Sequence, residues 1–501
     1  MTEPLVLALD QGTTSTRAIL FERSGNPLGD ASRPLEQAYP QDGWVEHDAE
    51  AIFTAAVAAM RQTLQTTGRG LAEVAALGIT NQRETTVVWE RTSGRPIHPA
   101  VVWQDRRTAE VCDRLRAEGA EAQVTAVTGL LLDPYFSATK IAWILDAVPG
   151  ARARAAAGEL LAGTIDCWLV WKLTGGRVHA TDATNASRTL LMDLEAQAWS
   201  PAMCELFGVP EAMLPEIRDT AGDFGEVDPA MLGAPLPIRG VAGDQQAALM
   251  GQGCVRAGEA KATYGTGLFM LLHTGAAAPR STARLLTTVA ARVKGRATYA
   301  LEGSAFIAGA AVQWLGEGLG VAGGPRAAEA LAREARADHG VVLVPAFTGL
   351  GAPYWDADAR GAIFGLTRDS GLAEIADATF DACALQTRDL IEAMRVDAPQ
   401  AFDGEGAAEL RIDGGMARSG WFAQRLADVT GLPVAPAAYT ETTALGAALF
   451  AGLGAGLFES AEAAAEASPH AGRLRPQAGE DWREAKYRRW LSAVRMTRGG
   501  A

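Results

Sequence analysis

Two short turns carry the residues best suited to chemistry. In "LALDQGTTSTRAILF" an apolar run ends in Asp10, passes through Gly12, Thr13, Thr14 and Ser15, and resumes as a second apolar run at Arg17. In "KATYGTGLFMLLHTG" the same plan recurs with Gly265, Thr266 and Gly267 at the turn. Such turns present free backbone N–H groups and side-chain hydroxyls, and the first sets them beside a carboxylate. Phosphate oxygens ask for the amides and hydroxyls, and a hydrated divalent cation asks for the acid. A hairpin loop that binds nothing fits either turn taken singly. A third unit, "ELRIDGGMARSGWFAQRLADVTG", joins a strand to a helix through Asp-Gly-Gly, and three related units are harder to dismiss.

Other residues could serve a small polar substrate. Gln82, Arg83 and Glu84 follow directly on an apolar strand in "ITNQRETTVVWE", Trp103 lies in "VVWQDRR", Tyr135 in "DPYFSATK", and Asp244 and Gln245 in "AGDQQAAL". Singly, each has a plainer reading: a solvated loop, a rim or core aromatic, a helix cap. Some chemistries are absent from the sequence. It contains no GxxxxGK[ST], no GxGxxG opening a helix after a strand, and no G-x-S-x-G elbow.

The elements that must position these residues follow from periodicity. Leu5–Leu9 and Arg17–Phe21 read as a hairpin, and Asp48 as the cap of a helix whose stripe is Phe53, Val57, Met60 and Leu64. Strands are expected at Val74–Thr80, Thr86–Trp89 and Ala100–Trp103. "IRGVAGDQQAALMGQG" reads strand, turn, helix. The plan of the first half thus restarts in the second, which predicts two related α/β domains facing each other, residues 1–252 and 253–501, with the boundary near Gly251–Gly258. The C-terminal "GEDWREAKYRRWLSAVRMT" predicts a helix docked through Trp482, Trp490, Leu491 and Val494.

Composition bounds the partners. At 501 residues the chain is too long for one core, and 45 Lys and Arg against 59 Asp and Glu give a net charge of −14 with no basic arm. A nucleic-acid partner is not expected, and an anionic ligand must be held by local devices against a repelling field. The 5 cysteines are scattered and never in CxxC spacing, so neither disulfides nor a zinc site is expected. No basic segment followed by an apolar one opens the chain, and Thr442–Phe458 is too short and glycine-rich to span a membrane. The expectation is a cytoplasmic protein with no integral membrane segment.

Taken together, the segments resemble the FGGY carbohydrate kinase family. The matching words include "ALDQGTTSTRAI", "GITNQRETTVVW", "DPYFSATKIAWIL", "TDATNASRT", "GVAGDQQAAL", "TYGTGLFML", "LEGSAFIAGAAVQWL" and "PAFTGLGAPYWDADARGAIFGLTR", and they run from residue 5 to about 450. The resemblance implies two actin-like ATPase (ribonuclease H-like) domains, each a mixed sheet flanked by helices, closing on a central cleft. It implies ATP and Mg²⁺ as cofactors and phosphorylation of glycerol to sn-glycerol 3-phosphate, the first step of glycerol catabolism. Another small polyol or ketose is the alternative, and an actin-like ATPase without a polyol pocket is a more distant one.

Carried over by position, Asp10 would sit with Mg²⁺, and Thr13, Thr14, Ser15, Arg17 and Thr266 would contact the nucleotide phosphates. Gly309, Gln313, Gly415 and Ser419 would line the adenosine end, with Ser419 standing where Asn is common. Arg83, Glu84, Tyr135, Asp244 and Gln245 would bond the hydroxyls, and Trp103 and Phe269 would cover the carbon skeleton. Asp244 would also be the general base and a second metal carboxylate. The family often forms homodimers or homotetramers. Members inhibited by fructose 1,6-bisphosphate carry a Gly-rich basic loop where this chain has "VDPAMLGAPLPIRG", and members activated by phosphorylation carry a His where it has "DTAGDFGEV". Neither regulation is expected here.

Overall fold

A computed structural model describes residues 3–402 and 409–499. Two six-stranded sheets organise it. The first uses β1 (Leu5–Gln11), β2 (Ser15–Phe21), β3 (Pro27–Pro34), β4 (Val74–Asn81), β5 (Glu226–Val227) and β6 (Leu236–Gly243), in the order β5-β6-β4-β1-β2-β3. β1 to β3 form an antiparallel meander, and β4 and β6 lie parallel to β1 on its other side. Helix α1 (Ala49–Thr67) packs on β2 and β3, and the Asp48 carboxylate accepts from the N–H groups of Glu50 and Ala51 at its start. The buried stripe is Ile52, Ala56, Val57 and Met60, so the face is rotated from the expected one and Phe53 and Leu64 sit at its edge.

After β6 the chain enters α2 (Asp244–Gly251) directly, with Gly243 as N-cap, so no turn intervenes and Asp244 is not the cap. The second sheet then repeats the first. It uses β7 (Ala260–Tyr264), β8 (Leu268–Gly275), β9 (Leu286–Val293), β10 (Arg296–Ala305), β11 (Leu410–Gly414) and β12 (Val434–Pro436), in the order β9-β10-β8-β7-β11-β12. Again an antiparallel hairpin and a third antiparallel strand flank one side, and two parallel strands the other. Between β10 and β11 come α3 (Gly309–Glu317) and the long α4 (Leu372–Asp397), and α5 (Gly420–Thr430) follows β11.

The repeat makes two helices equivalent: α2 follows the last parallel strand of the first sheet, and α6 (Thr442–Gly454) the last of the second. They pack against each other, and α6 also lies on β4 and β6 of the first sheet. That closeness depends on missing side chains. A Cβ on Gly446 would stand 1.7 Å from the Ala247 carbonyl oxygen, one on Gly251 1.8 Å from that of Thr442, and one on Gly78 2.1 Å from that of Ala447.

Two expectations need correction. Only Ala100–Val101 pairs as a strand, because the Trp103 N–H leaves the ladder to donate to Thr85 Oγ1 at 3.2 Å. The C-terminal helix α7 (Glu480–Thr497) docks through Trp490 and Val494 with Trp482 packed partly buried on the same core, and Trp490 Nε1 and the Tyr487 hydroxyl both donate to Asp389 on α4. Leu491, one residue past the docking face, is 39 % exposed. Among the described residues no helix is long and apolar enough to cross a membrane.

Candidate active site

The ends of β4 and β6 bring the polar candidates together. Arg83 and Glu84 leave β4, Asp244 opens α2, and Arg83 Nε lies 3.0 Å from Asp244 Oδ1. Glu84 holds φ at 59°, an uncommon value for a residue with a Cβ. Its carbonyl accepts hydroxyl hydrogens from Thr86 and Ser137, each at 3.1 Å, which ties this local strain to the surrounding elements. Tyr135 adds its hydroxyl 3.4 Å from Arg83 Nη2. Trp103 stands edge-on to both Tyr135 and Phe269, with ring centroids 5.7 and 6.2 Å apart, so three half-buried aromatics form one wall. The set offers Arg donors, carboxylate acceptors and a hydroxyl that does either, which can satisfy the mixed donor and acceptor needs of a polyol.

Several charged residues of this site carried no role in the sequence reading. Glu302 on β10 takes both terminal nitrogens of Arg83, and Arg188 joins Glu302 to Glu84. Lys261 on β7 donates to Gln245 Oε1 and to Thr263. Gln245 is therefore linked to the second sheet. The signal was a lone charge within a small or apolar strand, as in "ALEGSA" and "AKATY", but nothing in such a strand names its partner.

The two glycine-and-hydroxyl turns lie where the repeat puts them. Gly12 N–H closes the first on Ser15 O, and Gly265 N–H closes the second on Gly267 O. A Cβ on Gly267 would meet Ala305 O at 2.7 Å, so this turn needs its glycine. The first N–H groups of α3 are spent on the second turn, Gly309 on Gly265 O and Ala310 on Thr266 O, and Thr266 itself is exposed. Thr13 and Trp103 join the two parts of the site, since Trp103 Nε1 donates to Thr13 Oγ1 at 2.9 Å. Gln82 braces them from behind, donating its side-chain N–H to Gln11 and accepting from the Thr85 hydroxyl.

Thr14 is exposed and Ser15 half-buried at the start of β2. Arg17 reaches across to Glu441, just before α6, at 2.6 Å. At the other end, Gly309 approaches Met416, one residue past Gly415, and Gln313 is exposed on α3. Ser419 is engaged as a cap: its Oγ accepts from Phe422 N–H at the start of α5.

Electrostatics separate two regions. In the polyol region burial alone would raise Glu302, but Arg188 and then Arg83 hold it down at about 2. Burial pushes Lys261 down to about 8 against the pull of Asp413 and Asp244. At the first turn the balance is opposite. Burial, then Asp244, then Glu441 push Asp10 up to about 7, with only Arg17 opposing. Asp244 is itself raised, mainly by burial, despite Arg83. A buried carboxylate whose proton affinity is raised by a second carboxylate suits a hard divalent cation with oxygen ligands. Among the described residues no three metal-binding side chains cluster.

Comparison with known proteins gives a consistent result. The profile of the N-terminal domain of the FGGY family of carbohydrate kinases matches residues 5–251, and that of its C-terminal domain residues 260–455. A glycerol kinase of Alcanivorax borkumensis is 53 % identical over 98 % of this chain and 98 % of its own length. One of Methylobacterium nodulans is 54 % identical over 98 % of this chain and 97 % of its own. The crystal structure of Plasmodium falciparum glycerol kinase with ADP superposes with a TM-score of 0.91 at 33 % identity, covering 99 % of this chain and 98 % of that one.

Proposed function

The chain belongs to the FGGY family of carbohydrate kinases, and on that premise we propose that it transfers the γ-phosphoryl group of ATP to a terminal hydroxyl of glycerol, giving sn-glycerol 3-phosphate and ADP. The observation that carries the substrate is the convergence of Arg83, Glu84, Tyr135 and Asp244 beside the Trp103–Phe269 wall, a pocket matched to a short chain with several hydroxyls. Residues 1–252 supply the polar side of this pocket and the first phosphate turn, while Phe269 comes from the second half. Residues 253–501 supply the second turn and the adenosine end.

Phosphoryl transfer through a loose transition state demands alignment and charge neutralisation more than covalent chemistry. Asp244 accepts the proton of the attacking hydroxyl, and burial, by raising its pKa, makes it a stronger base than a free carboxylate. Arg83 orients that carboxylate through Nε. Arg83, Glu84 and Gln245 bond the hydroxyls, and the aromatic wall packs the carbons and excludes water that would compete as acceptor. Thr13, Thr14, Ser15, Arg17 and Thr266 hold phosphate oxygens, while Gly309, Gln313, Gly415 and Ser419 line the nucleoside end. Asp10 and Asp244 would hold Mg²⁺, which when bound offsets phosphate charge.

A coupled assay of ADP release tests this across a panel of glycerol, erythritol, xylulose and no acceptor. Turnover with glycerol well above the others is expected. Equal turnover without acceptor, or preference for the ketose, overturns it.

A further inference from the structure

Glu302 sits on β10 of the second sheet, yet it spends its carboxylate on the first half of the chain. Its Oε2 accepts from Arg83 Nη1 at 2.5 Å, and its Oε1 from Arg83 Nη2 at 3.0 Å and Arg188 Nη2 at 2.8 Å. Three N–H groups from two guanidiniums thus converge on one fully buried carboxylate. The same guanidiniums continue to the pocket: Arg188 Nε donates to Glu84 Oε1 at 2.7 Å, and Arg83 Nε faces Asp244 Oδ1 at 3.0 Å. Resting on the polyol reading of this site, we propose that Glu302 is a positioning residue that sets substrate specificity, by fixing the planar fork of Arg83 and the carboxylate of Glu84 from across the cleft.

Counting donors and acceptors shows why a carboxylate is required. A carboxylate has two oxygens that accept a forked pair and still leave a lone pair for Arg188, whereas an amide has one. Charge points the same way. Arg83 and Arg188 face Glu84, Asp244 and Glu302, and Lys261, attracted first by Asp413, adds its pull on Asp244 and Glu302. Removing Glu302 leaves the terminal nitrogens of Arg83 only the longer, neutral contacts to Gln246 Oε1 at 3.3 Å and the Tyr135 hydroxyl at 3.4 Å, and the nearest remaining carboxylates are the two that the substrate needs. Arg83 would then turn onto Asp244 or Glu84, and the hydroxyls would meet a site whose acceptors are already occupied. A site built to bond hydroxyls rejects an analogue lacking one because its buried polar groups go unpaired. That rejection fails once those groups satisfy one another.

The test is Glu302→Gln in the full-length enzyme, with steady-state kinetics for glycerol, ATP and propane-1,3-diol. The expected result is a KM for glycerol raised about tenfold or more, a KM for ATP within about twofold of wild type, and a fall of about tenfold in the ratio of kcat/KM for glycerol to that for the diol. Glu302→Asp keeps the charge and both oxygens. It is expected to retain more of the ratio than the Gln variant, and it carries the same test should Glu302→Gln not fold. Equal rises in both KM values with the ratio preserved would show a general packing role and overturn the proposal, as would wild-type values throughout. A wild-type enzyme inactive on glycerol overturns the reading of the preceding subsection, while an active wild type with an unchanged variant overturns this inference alone.

Discussion

Gly446→Ala is the smallest change that tests how the two halves are joined. Its added Cβ would lie 1.7 Å from the carbonyl oxygen of Ala247 and 2.9 Å from the N of Gly251, and both atoms belong to the backbone of α2. No rotamer can relieve such a contact. Because close-packed carbon and oxygen need roughly 3 Å, the crossing of α2 and α6 must open by more than about 1 Å. Overpacking of this kind costs about 1–3 kcal/mol and sometimes more, against a gain of about 1 kcal/mol from replacing glycine inside a helix. The net loss should lower the melting temperature by about 2–4 °C per kcal/mol for halves of this size. It should also lower kcat, because α2 begins at Asp244 and α6 begins one residue after Glu441, the partner of Arg17. Thermal melts and turnover with glycerol are the assays. Gly420→Ala is the control, since a Cβ there meets nothing within 4 Å and the site is the first residue of α5. It should melt no lower than wild type. Gly446→Ala melting at the wild-type temperature with wild-type kcat would refute the reasoning.

Asp244→Asn should keep the fold yet reduce kcat by about 10²–10⁴, and near-normal turnover would remove Asp244 from the base role. Arg83→Ala should raise KM for glycerol far more than KM for ATP, and an equal rise in both would contradict its assignment. His273 on β8 is held neutral by burial, which pushes its pKa from 6.5 to about 4. The unfolded chain takes up that proton first as pH falls, so the stability it contributes is complete above 6.5 and is lost down to about 4. Replacing His273 by Gln should therefore narrow the stability gap to wild type by up to about 1.4 kcal/mol per pH unit between those values, and parallel pH profiles would exclude this.

Local chemistry was legible where it was contiguous. Each phosphate turn lies within fifteen residues of sequence, and the periodicity of the flanking runs gave the hairpins and the repeat of the two sheets. Contacts of long reach were not legible. Arg83 and Glu302 are 219 residues apart, and Arg188 and Glu84 are 104. A lone charge in an apolar strand says that a partner exists without saying where. Glycine was equally silent: Gly446 and Gly420 look alike in the sequence, and only the packed helices show that one touches backbone and the other nothing. At Ala100–Trp103 the apolar run was real, but the hydroxyl of Thr85 competed for the Trp103 N–H and ended the ladder early.

The proposed polyol and phosphate regions differ in how their charges are balanced, and this follows from what each would receive. A polyol is neutral, so buried charges in the proposed polyol site must be matched by the protein itself, and Arg83 and Arg188 meet Glu84, Asp244 and Glu302 there. Burying them without such matching would cost more than their attraction returns. A nucleotide arrives with several negative charges, and the protein carries −14 already. Yet the first turn is not strongly cationic: Asp10 is pushed up to about 7 by burial, Asp244 and Glu441, and Arg17 is shared with Glu441. The carboxylates there would repel a bare nucleotide and are offset only when a cation accompanies it. On that assignment, the acids proposed to hold a divalent ion would favour entry of metal and nucleotide together, while the proposed polyol pocket draws its charges from the protein's own residues.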